Sequence, residues 1–250
     1  MTAPFHAASS QSRAEAKAND AAAKLAATII IFMTLTLVSP KRRDRLLDQQ
    51  HLVLPNVSWA FYEQVLEELG DRPTRVTYWH GSIEMMAPLA EHEMVKKAIA
   101  RLIEALAVEA NLSMLPYGST TFRREDREGG LEPDECYYLK NAGRVRGMKK
   151  FDPEVHPPPD LAIEIDITRR SIPRQPIYAD LGVPELWRHD GIRFSVLHLR
   201  RDGKYRAASK SVAFPFLPIG TFAKFIKRML AEDQTTVVRE FQAWVRTLVS

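Results

Sequence analysis

The chain has 250 residues, of which 45% are hydrophobic and 26% are charged, an ordinary globular composition that allows a core without a covalent staple. The single cysteine, Cys136, excludes an internal disulfide and any cysteine-based metal cluster, and it fits a reducing cytoplasm. The formal net charge of +4 makes a nucleic acid a reasonable partner.

The first 50 residues have the composition of an extension. Residues 1–24 are rich in Ala, Ser, Gln and Lys, with no aromatic residue after Phe5, so they lack the means to bury a core. Residues 25–38 form an apolar run shorter than a membrane span needs, and the mixed charges before it argue against a signal peptide. A start of translation at Met33 is a hypothesis under which residues 1–32 would be a gene-calling artefact. We expect a disordered, low-complexity extension over residues 1–50 and a folded domain over residues 51–250.

The domain opens with a helix and a hairpin. Ser58 can cap a helix that runs to residue 69, and Gly70 can end it. Residues 74–79 and 82–86 read as two strands joined by a tight turn at His80 and Gly81. Glu84 lies on the second strand, where it is either a solvated hairpin residue or part of a site.

Residues 91–111 carry the strongest helical periodicity in the chain, which predicts a helix that packs lengthwise on a sheet. A zinc-protease motif at its start is excluded, because Lys96 stands where the second histidine is needed after His92. We expect His92 itself to lie at the surface.

The middle of the chain alternates strands with charged loops. Residues 112–123 predict one or two strands, and the glycine-ended loop 123–130 can meet phosphate or simply be solvated. Pro133 fixes an extended entry, so Asp134 stands at the start of a strand over residues 135–139. The basic, proline-containing residues 141–159 predict a loop that could lie beside a polyanion.

Residues 161–167 form the central strand of the prediction. Leu161, Ile163, Ile165 and Ile167 point to one side, and Asp160, Ala162, Glu164 and Asp166 point to the other. The acids on that side need a basic side chain or a divalent cation to balance them, because unpaired buried carboxylates are costly.

The remaining chain predicts a short helix over residues 171–181, strands over 185–189, 192–199 and 204–208, and closing helices over 221–231 and 235–249. The chain contains no glycine-rich phosphate loop and no G-x-S-x-G elbow.

Three acids stand on strands that a sheet could bring side by side: Glu84, Asp134 and Glu164. Such a set of hard oxygen ligands suits Mg²⁺ or Mn²⁺. A bound ion of this kind can polarise a phosphodiester and lower the pKa of a water molecule.

Four motifs follow one another along the chain: YWHGSIEMMAP at 78–88, GLEPDE at 130–135, PDLAIEID at 159–166 and YADLGVPELW at 178–187. Together they resemble the Uma family of endonucleases, which have the restriction-enzyme-like PD-(D/E)xK fold. The resemblance runs from about residue 50 to the C-terminus. It implies an α/β (α+β) fold with a restriction-endonuclease-like mixed central β-sheet flanked by helices, and it implies Glu84, Asp134 and Glu164 as metal ligands.

One position departs from the superfamily pattern, because Asp166 stands two residues after the strand glutamate, where the superfamily has lysine. In many Uma-type relatives the lysine moves to the following helix, and here that position is Arg174. Arginine can contact a phosphate but cannot serve as a base. Asp166 then becomes a candidate further ligand or a group that orients the water.

Three functions stay open at this point. The first is a magnesium-dependent DNA endonuclease with Glu84, Asp134, Glu164, Asp166 and Arg174 as its catalytic residues. The second is a nuclease-fold module that binds nucleic acid or a protein without cutting, and the third is a scaffold with no nucleic acid. We expect a cytoplasmic location and no membrane partner. A homodimer would suit an enzyme that cuts both strands.

Overall fold

The computed structural model describes residues 51–70, 72–87, 89–167 and 170–250. The predicted extension over residues 1–50, with its apolar run and Met33, lies outside the described residues. The chain from Gln50 onward is one compact unit. None of the helices in the described ranges is long and apolar enough to cross a membrane.

The fold is mixed α+β, as predicted. Its eleven strands, counted over the described ranges, are β1 His51–Pro55, β2 Arg75–Trp79, β3 Ser82–Met86, β4 Leu115–Pro116, β5 Phe122–Arg124, β6 Gly129–Leu131, β7 Glu135–Tyr138, β8 Leu161–Ile165, β9 Glu185–His189, β10 Phe194–Leu199 and β11 Tyr205–Ala208. The α-helices are α1 Trp59–Leu69, α2 Ala90–Glu109, α3 Arg174–Leu181, α4 Ile219–Ala231 and α5 Gln234–Val249.

The strands divide into two sheets. The six-stranded sheet has the order β11, β10, β9, β8, β7, β4, and it is mixed because β8 and β9 run parallel while the other pairs are antiparallel. The five-stranded sheet has the order β1, β3, β2, β6, β5 and is antiparallel throughout. The mixed sheet carries β8, so the strand predicted to be central is central.

The main core lies between the mixed sheet and the long helices. Leu161, Ile163 and Ile165 of β8 pack in one buried cluster with side chains of α2, α4 and α5. This alternation confirms the predicted apolar face of β8, because every second residue of a strand faces the same side. The helix α2 is buried along a stripe that includes Ile99 and Leu102, as its periodicity predicts.

The opposite face of β8 is buried as well. Ala162 lies in a second cluster with Ile177, Tyr178 and Leu181 of α3. Glu164 belongs to this face, so it enters an enclosed space and not the solvent.

Two local predictions need correction. The predicted strand 161–167 ends at Ile165. The glycines predicted to close a loop form the strand β6, in which Gly130 lies directly against the ring of Tyr62 and could not carry a Cβ atom without a clash. The hairpin between β2 and β3 is as predicted, with positive φ angles of 44° at His80 and 76° at Gly81.

Candidate active site

Asp134 lies directly beside β8. Its backbone N–H donates to the carbonyl of Ile163 over 3.1 Å, and its Oδ2 accepts from the N–H of Ile165 over 2.5 Å. Pro133 before it fixes the extended approach, so Asp134 is fastened to the strand residues on either side of Glu164. The side chain of Asp134 is fully buried.

Glu164 projects from β8 into a ring of donors. The Tyr178 hydroxyl donates to its Oε1, and the Nε of Arg174 lies 3.1 Å from the same oxygen. The Nη2 of Arg170 lies 3.5 Å from Oε2. Burial raises the pKa of the Glu164 carboxyl, and the attraction of Arg174 and Arg170 opposes that rise.

Glu84 reaches the same region from the other sheet. Its Oε1 accepts from the N–H of Ser171 over 2.6 Å and lies 2.6 Å from Nε2 of His51. Glu84 thus contacts Ser171, and Asp134 and Glu164 lie beside Arg170, so the three predicted acids approach two adjacent residues from two sheets and not from one sheet edge.

Arginines supply the counter-charge that the acids on β8 require. The Nη2 of Arg170 lies 3.8 Å from Asp134 Oδ2 as well as 3.5 Å from Glu164 Oε2, so one guanidinium bridges two carboxylates. The Nη1 of Arg75 lies 3.0 Å from Asp134 Oδ1 and donates to the carbonyl of Pro133 over 2.9 Å. Neither arginine was predicted to belong to the site.

His92 is also part of the site, which corrects the expectation of a surface position. It is 4% exposed, and its Nε2 lies 3.1 Å from Oδ1 of Asp134. Burial alone would raise the pKa of Asp134, but His92, Arg75 and Arg170 outweigh it and hold that pKa well below its ordinary value. The predictive signal was the apolar stripe of α2, because His92 precedes the buried Val95 and Ile99 by three and seven residues.

Arg75 had a signal of the same kind. In the hairpin register, Thr77 pairs with Glu84, and Arg75 stands two residues before Thr77 on the same face of the sheet. The tight turn at His80 and Gly81, which the sequence predicts, fixes this register. Arg170 follows the end of β8 in an irregular segment, and no periodic pattern marks it.

Arg174 and Asp166 lie at the site with partners of their own. The guanidinium of Arg174 donates to the carbonyl of Glu132 and lies 3.4 Å from the Thr77 hydroxyl, so its donors face protein groups. The carboxylate of Asp166 accepts from Arg188 over 3.0 Å at Nε and 2.6 Å at Nη2.

A cavity of about 610 Å³ opens onto this cluster. Its wall includes Glu164 and Asp166 from the end of β8 and three arginines from the surrounding elements: Arg170, Arg174 and Arg188. A larger groove of about 1170 Å³ is lined by Arg75, by Glu132 and by Lys149 and Lys150 of the basic loop. The smaller cavity is the one that contains a predicted metal ligand, so we place the candidate active site there.

The donor chemistry suits a hard divalent cation, although the acids do not form a ready-made cage. Glu84 Oε2 is buried without a hydrogen-bond partner among the described residues, so it retains lone pairs for a ligand, whereas Asp134 Oδ1 already faces Arg75 and His92. Within the described ranges, no three His, Cys, Asp or Glu side chains are grouped closely enough to hold a metal. Arg170 stands between two of the acids, where an ion would otherwise balance them.

Comparisons with known proteins give a family and a structural likeness. The family model Uma2, described as "Putative restriction endonuclease", matches residues 59–218. Among solved structures, the chain is similar to a putative nuclease belonging to DUF820 from Anabaena variabilis ATCC 29413. The two are 11% identical with a TM-score of 0.39 over 68% of this chain and 90% of that one. No curated protein matches the chain.

Proposed function

Because this chain belongs to the Uma2 family of putative restriction endonucleases, we propose that it hydrolyses phosphodiester bonds of DNA with a divalent cation. The observation that supports the proposal is that Glu84, Asp134 and Glu164 are all buried around the adjacent residues Arg170 and Ser171, with Glu164 in the wall of a cavity. Burying three carboxylates costs free energy, because each must be compensated by cations or hydrogen bonds. Such groups are therefore found most often at functional sites.

Glu84, Asp134 and Glu164 would hold the ion. Mg²⁺ or Mn²⁺ bound there would polarise the phosphodiester and make water a stronger nucleophile. The protein side chains prepare the site: Arg75 and His92 keep Asp134 ionised, and the Tyr178 hydroxyl fixes one oxygen of Glu164.

We assign Arg174 to the orientation of Glu164. Its Nε faces Glu164 Oε1, and its remaining donors face Glu132 and Thr77. Burial would lower the pKa of Arg174, but Glu164 and Tyr178 outweigh that effect and raise it. Arg174 therefore stays charged and is unsuited to take a proton from water.

The test is plasmid nicking by the full chain in Mg²⁺ or Mn²⁺. Glu164→Gln and Asp134→Asn preserve side-chain shape and remove one negative charge each. We expect each to reduce the nicking rate by roughly 10²- to 10³-fold, the scale of losing one group that stabilises a transition state. The matched control is Glu68→Gln, an exposed position on α1, which should leave the rate unchanged. Equal rates for the wild type and Glu164→Gln would show that hydrolysis is not the function.

A second function has one observation in its favour. Arg75, Arg170 and Arg174 lie within ion-pair distance of Asp134 or Glu164, which is the arrangement expected of a module that binds nucleic acid and no longer cuts it. That protein would bind DNA in a salt-sensitive manner in EDTA and yield no product. If the chain produces no gel shift of DNA at low salt, it is neither a DNA endonuclease nor a DNA-binding module.

A further inference from the structure

The parallel pair β8 and β9 places a cation beside the candidate active site. Glu164 of β8 is the register partner of Arg188 on β9, so the two side chains lie next to each other on the same face. The pairing continues past the end of β8, because the N–H of Asp166 donates to the carbonyl of His189 over 2.7 Å. Hydrogen bonding therefore fixes the backbone of Asp166, directly after β8, beside that of β9, which carries Arg188.

Asp166 holds the guanidinium of Arg188 in one orientation. Nε and Nη2 of Arg188 both donate to Oδ2 of Asp166, over 3.0 Å and 2.6 Å. The Arg188 side chain is 39% exposed, whereas those of Arg170 and Arg174 are 7% and 5% exposed. Among the three arginines of the cavity wall, Arg188 is thus the one with donors directed to solvent.

The cavity also has unsatisfied donors. Nε and Nη1 of Arg170 are buried without a hydrogen-bond partner among the described residues, although Nε lies 3.6 Å from Oδ1 of Asp166, and Arg170 lines the cavity. The charged groups of the wall are three arginines and two carboxylates, Glu164 and Asp166, which leaves one net positive charge. An anion with several oxygen atoms would satisfy both features, because guanidinium groups bind phosphate through paired donors.

We propose that this cavity is a phosphate-binding subsite, in which Arg188, oriented by Asp166, contacts a phosphodiester oxygen of a nucleic-acid strand beside Glu164. The inference rests on the proposed function, since it takes nucleic acid as the substrate. Arg188 is the phosphate contact and Asp166 is a positioning residue. The proposal explains why an acid at position 166 is compatible with a site for an anion: its charge serves to hold a cation from the next strand.

The experiment measures binding of the full chain to a fluorescent DNA duplex in EDTA at several salt concentrations, so that no cleavage is needed. Arg188→Gln should weaken binding about tenfold and reduce the slope of log K against log salt by about 0.9, one phosphate contact. Arg188→Lys should keep the slope. The control Arg193→Gln, at an exposed arginine five residues further along the chain, should behave as the wild type. Equal unfolding midpoints for all variants would show that folding is intact.

Asp166 is tested by a double-mutant cycle. The cycle measures how much Arg188→Gln weakens DNA binding, first in the wild type and then in a chain that already carries Asp166→Asn. If Asp166 acts through Arg188, the weakening should be smaller by about threefold or more in the chain with Asp166→Asn, whatever the electrostatic effect of that substitution alone. A purely structural role of Asp166 would leave the weakening the same in both chains, which would overturn the positioning assignment.

The outcomes separate the two proposals. If the wild type binds DNA and Arg188→Gln matches it in affinity and slope, the subsite is refuted while the proposed function stands. If the wild type binds no DNA in EDTA, the subsite is refuted, and the proposed function fails only if the wild type also does not nick plasmid in Mg²⁺. Calorimetry with inorganic phosphate distinguishes the source of the anion: Arg188-dependent binding of free phosphate without Arg188-dependent DNA binding would make the cavity a small-anion site and overturn the inference.

Discussion

Asp134 and Glu164 lie side by side, yet their surroundings shift the pKa values of the two carboxyls in opposite directions. The pKa of Asp134 is held low because His92, Arg75 and Arg170 outweigh its burial. The pKa of Glu164 is raised because burial outweighs Arg174 and Arg170. Of the two carboxyls, Glu164 therefore takes up a proton more readily, a division of roles typical of functional sites.

Arg170 is the residue whose removal should change this balance most. Arg170→Gln removes the cation between Asp134 and Glu164, so we expect Mn²⁺ to bind more tightly in calorimetry. The metal-free variant should lose about 3 kcal/mol of unfolding free energy in chemical denaturation, the scale of breaking a buried ion pair. Arg206→Gln, which breaks an exposed pair with Asp202, should change neither quantity. Weaker Mn²⁺ binding in Arg170→Gln would contradict the assignment of a competing counter-charge.

Gly130 is a second residue whose replacement should be costly, because there is no room for a side chain at this position. A Cβ atom there would lie 2.9 Å from Cζ of Tyr62 and closer still to its hydroxyl. Gly130→Ala should therefore cost about 1–3 kcal/mol of unfolding free energy. Tyr62→Phe should reduce this cost, because it removes the nearest atom. The hydroxyl of Tyr62 has no hydrogen-bond partner among the described residues, so its loss alone should be tolerated.

Denaturation of the wild type, the two single variants and the double variant checks the prediction. Gly143→Ala is the matched control, since nothing lies within 4 Å of a Cβ atom at that position. If Gly130→Ala costs the same unfolding free energy with and without Tyr62→Phe, the tyrosine hydroxyl is not the obstacle.

Among the helices and strands, the sequence predicts those whose structure depends on residue spacing within the element itself. The stripe of α2, the turn of the first hairpin and the alternation of β8 all follow from spacing along the chain. The strand β6 does not, because Gly129 and Gly130 favour turns and only their pairing with β2 and contact with Tyr62 make them a strand. The candidate acids were found one by one, but their arginine partners depend on how two sheets approach each other.

The strand β9 makes a pH-dependent contribution to stability through His189. Burial lowers the pKa of His189 below its ordinary value of 6.5, and the charge of Asp190 opposes this shift. Its Nδ1 accepts from the N–H of Gly191 over 3.2 Å, which requires the neutral ring. The unfolded chain binds the proton at a higher pH than the folded chain does. The contribution of neutral His189 to stability is therefore fully present above pH 6.5. It declines as the pH falls through that value toward the pKa of His189 in the folded chain.

His189→Gln should flatten this dependence. Below pH 6.5 the wild type should lose up to about 1.4 kcal/mol per pH unit more than the variant, the limit for one proton. Denaturant titrations at several pH values measure it, with the exposed His80→Gln as control. Parallel pH profiles for the wild type and His189→Gln would rule out this contribution.

At the scale of the whole molecule, the predicted boundary near residue 50 places all of the site in one compact unit. A fragment of residues 46–250 should therefore unfold cooperatively at the midpoint of the full chain. A fragment of residues 58–250 lacks β1, which pairs with β3 and brings His51 to Glu84, so it should unfold at a lower temperature. Calorimetric melting compares both fragments with the full chain. A lower midpoint for fragment 46–250 than for the full chain would place the domain boundary before residue 46.

We propose that buried acids from two sheets form the metal site of a nuclease. The most direct measurement is anomalous scattering from a crystal soaked in Mn²⁺. We expect one ion bound by oxygens of Glu84, Asp134 and Glu164, with the guanidinium of Arg170 displaced from between the last two. Crystals that bind Mn²⁺ elsewhere, or that retain Arg170 between Asp134 and Glu164 at saturating Mn²⁺, would contradict it.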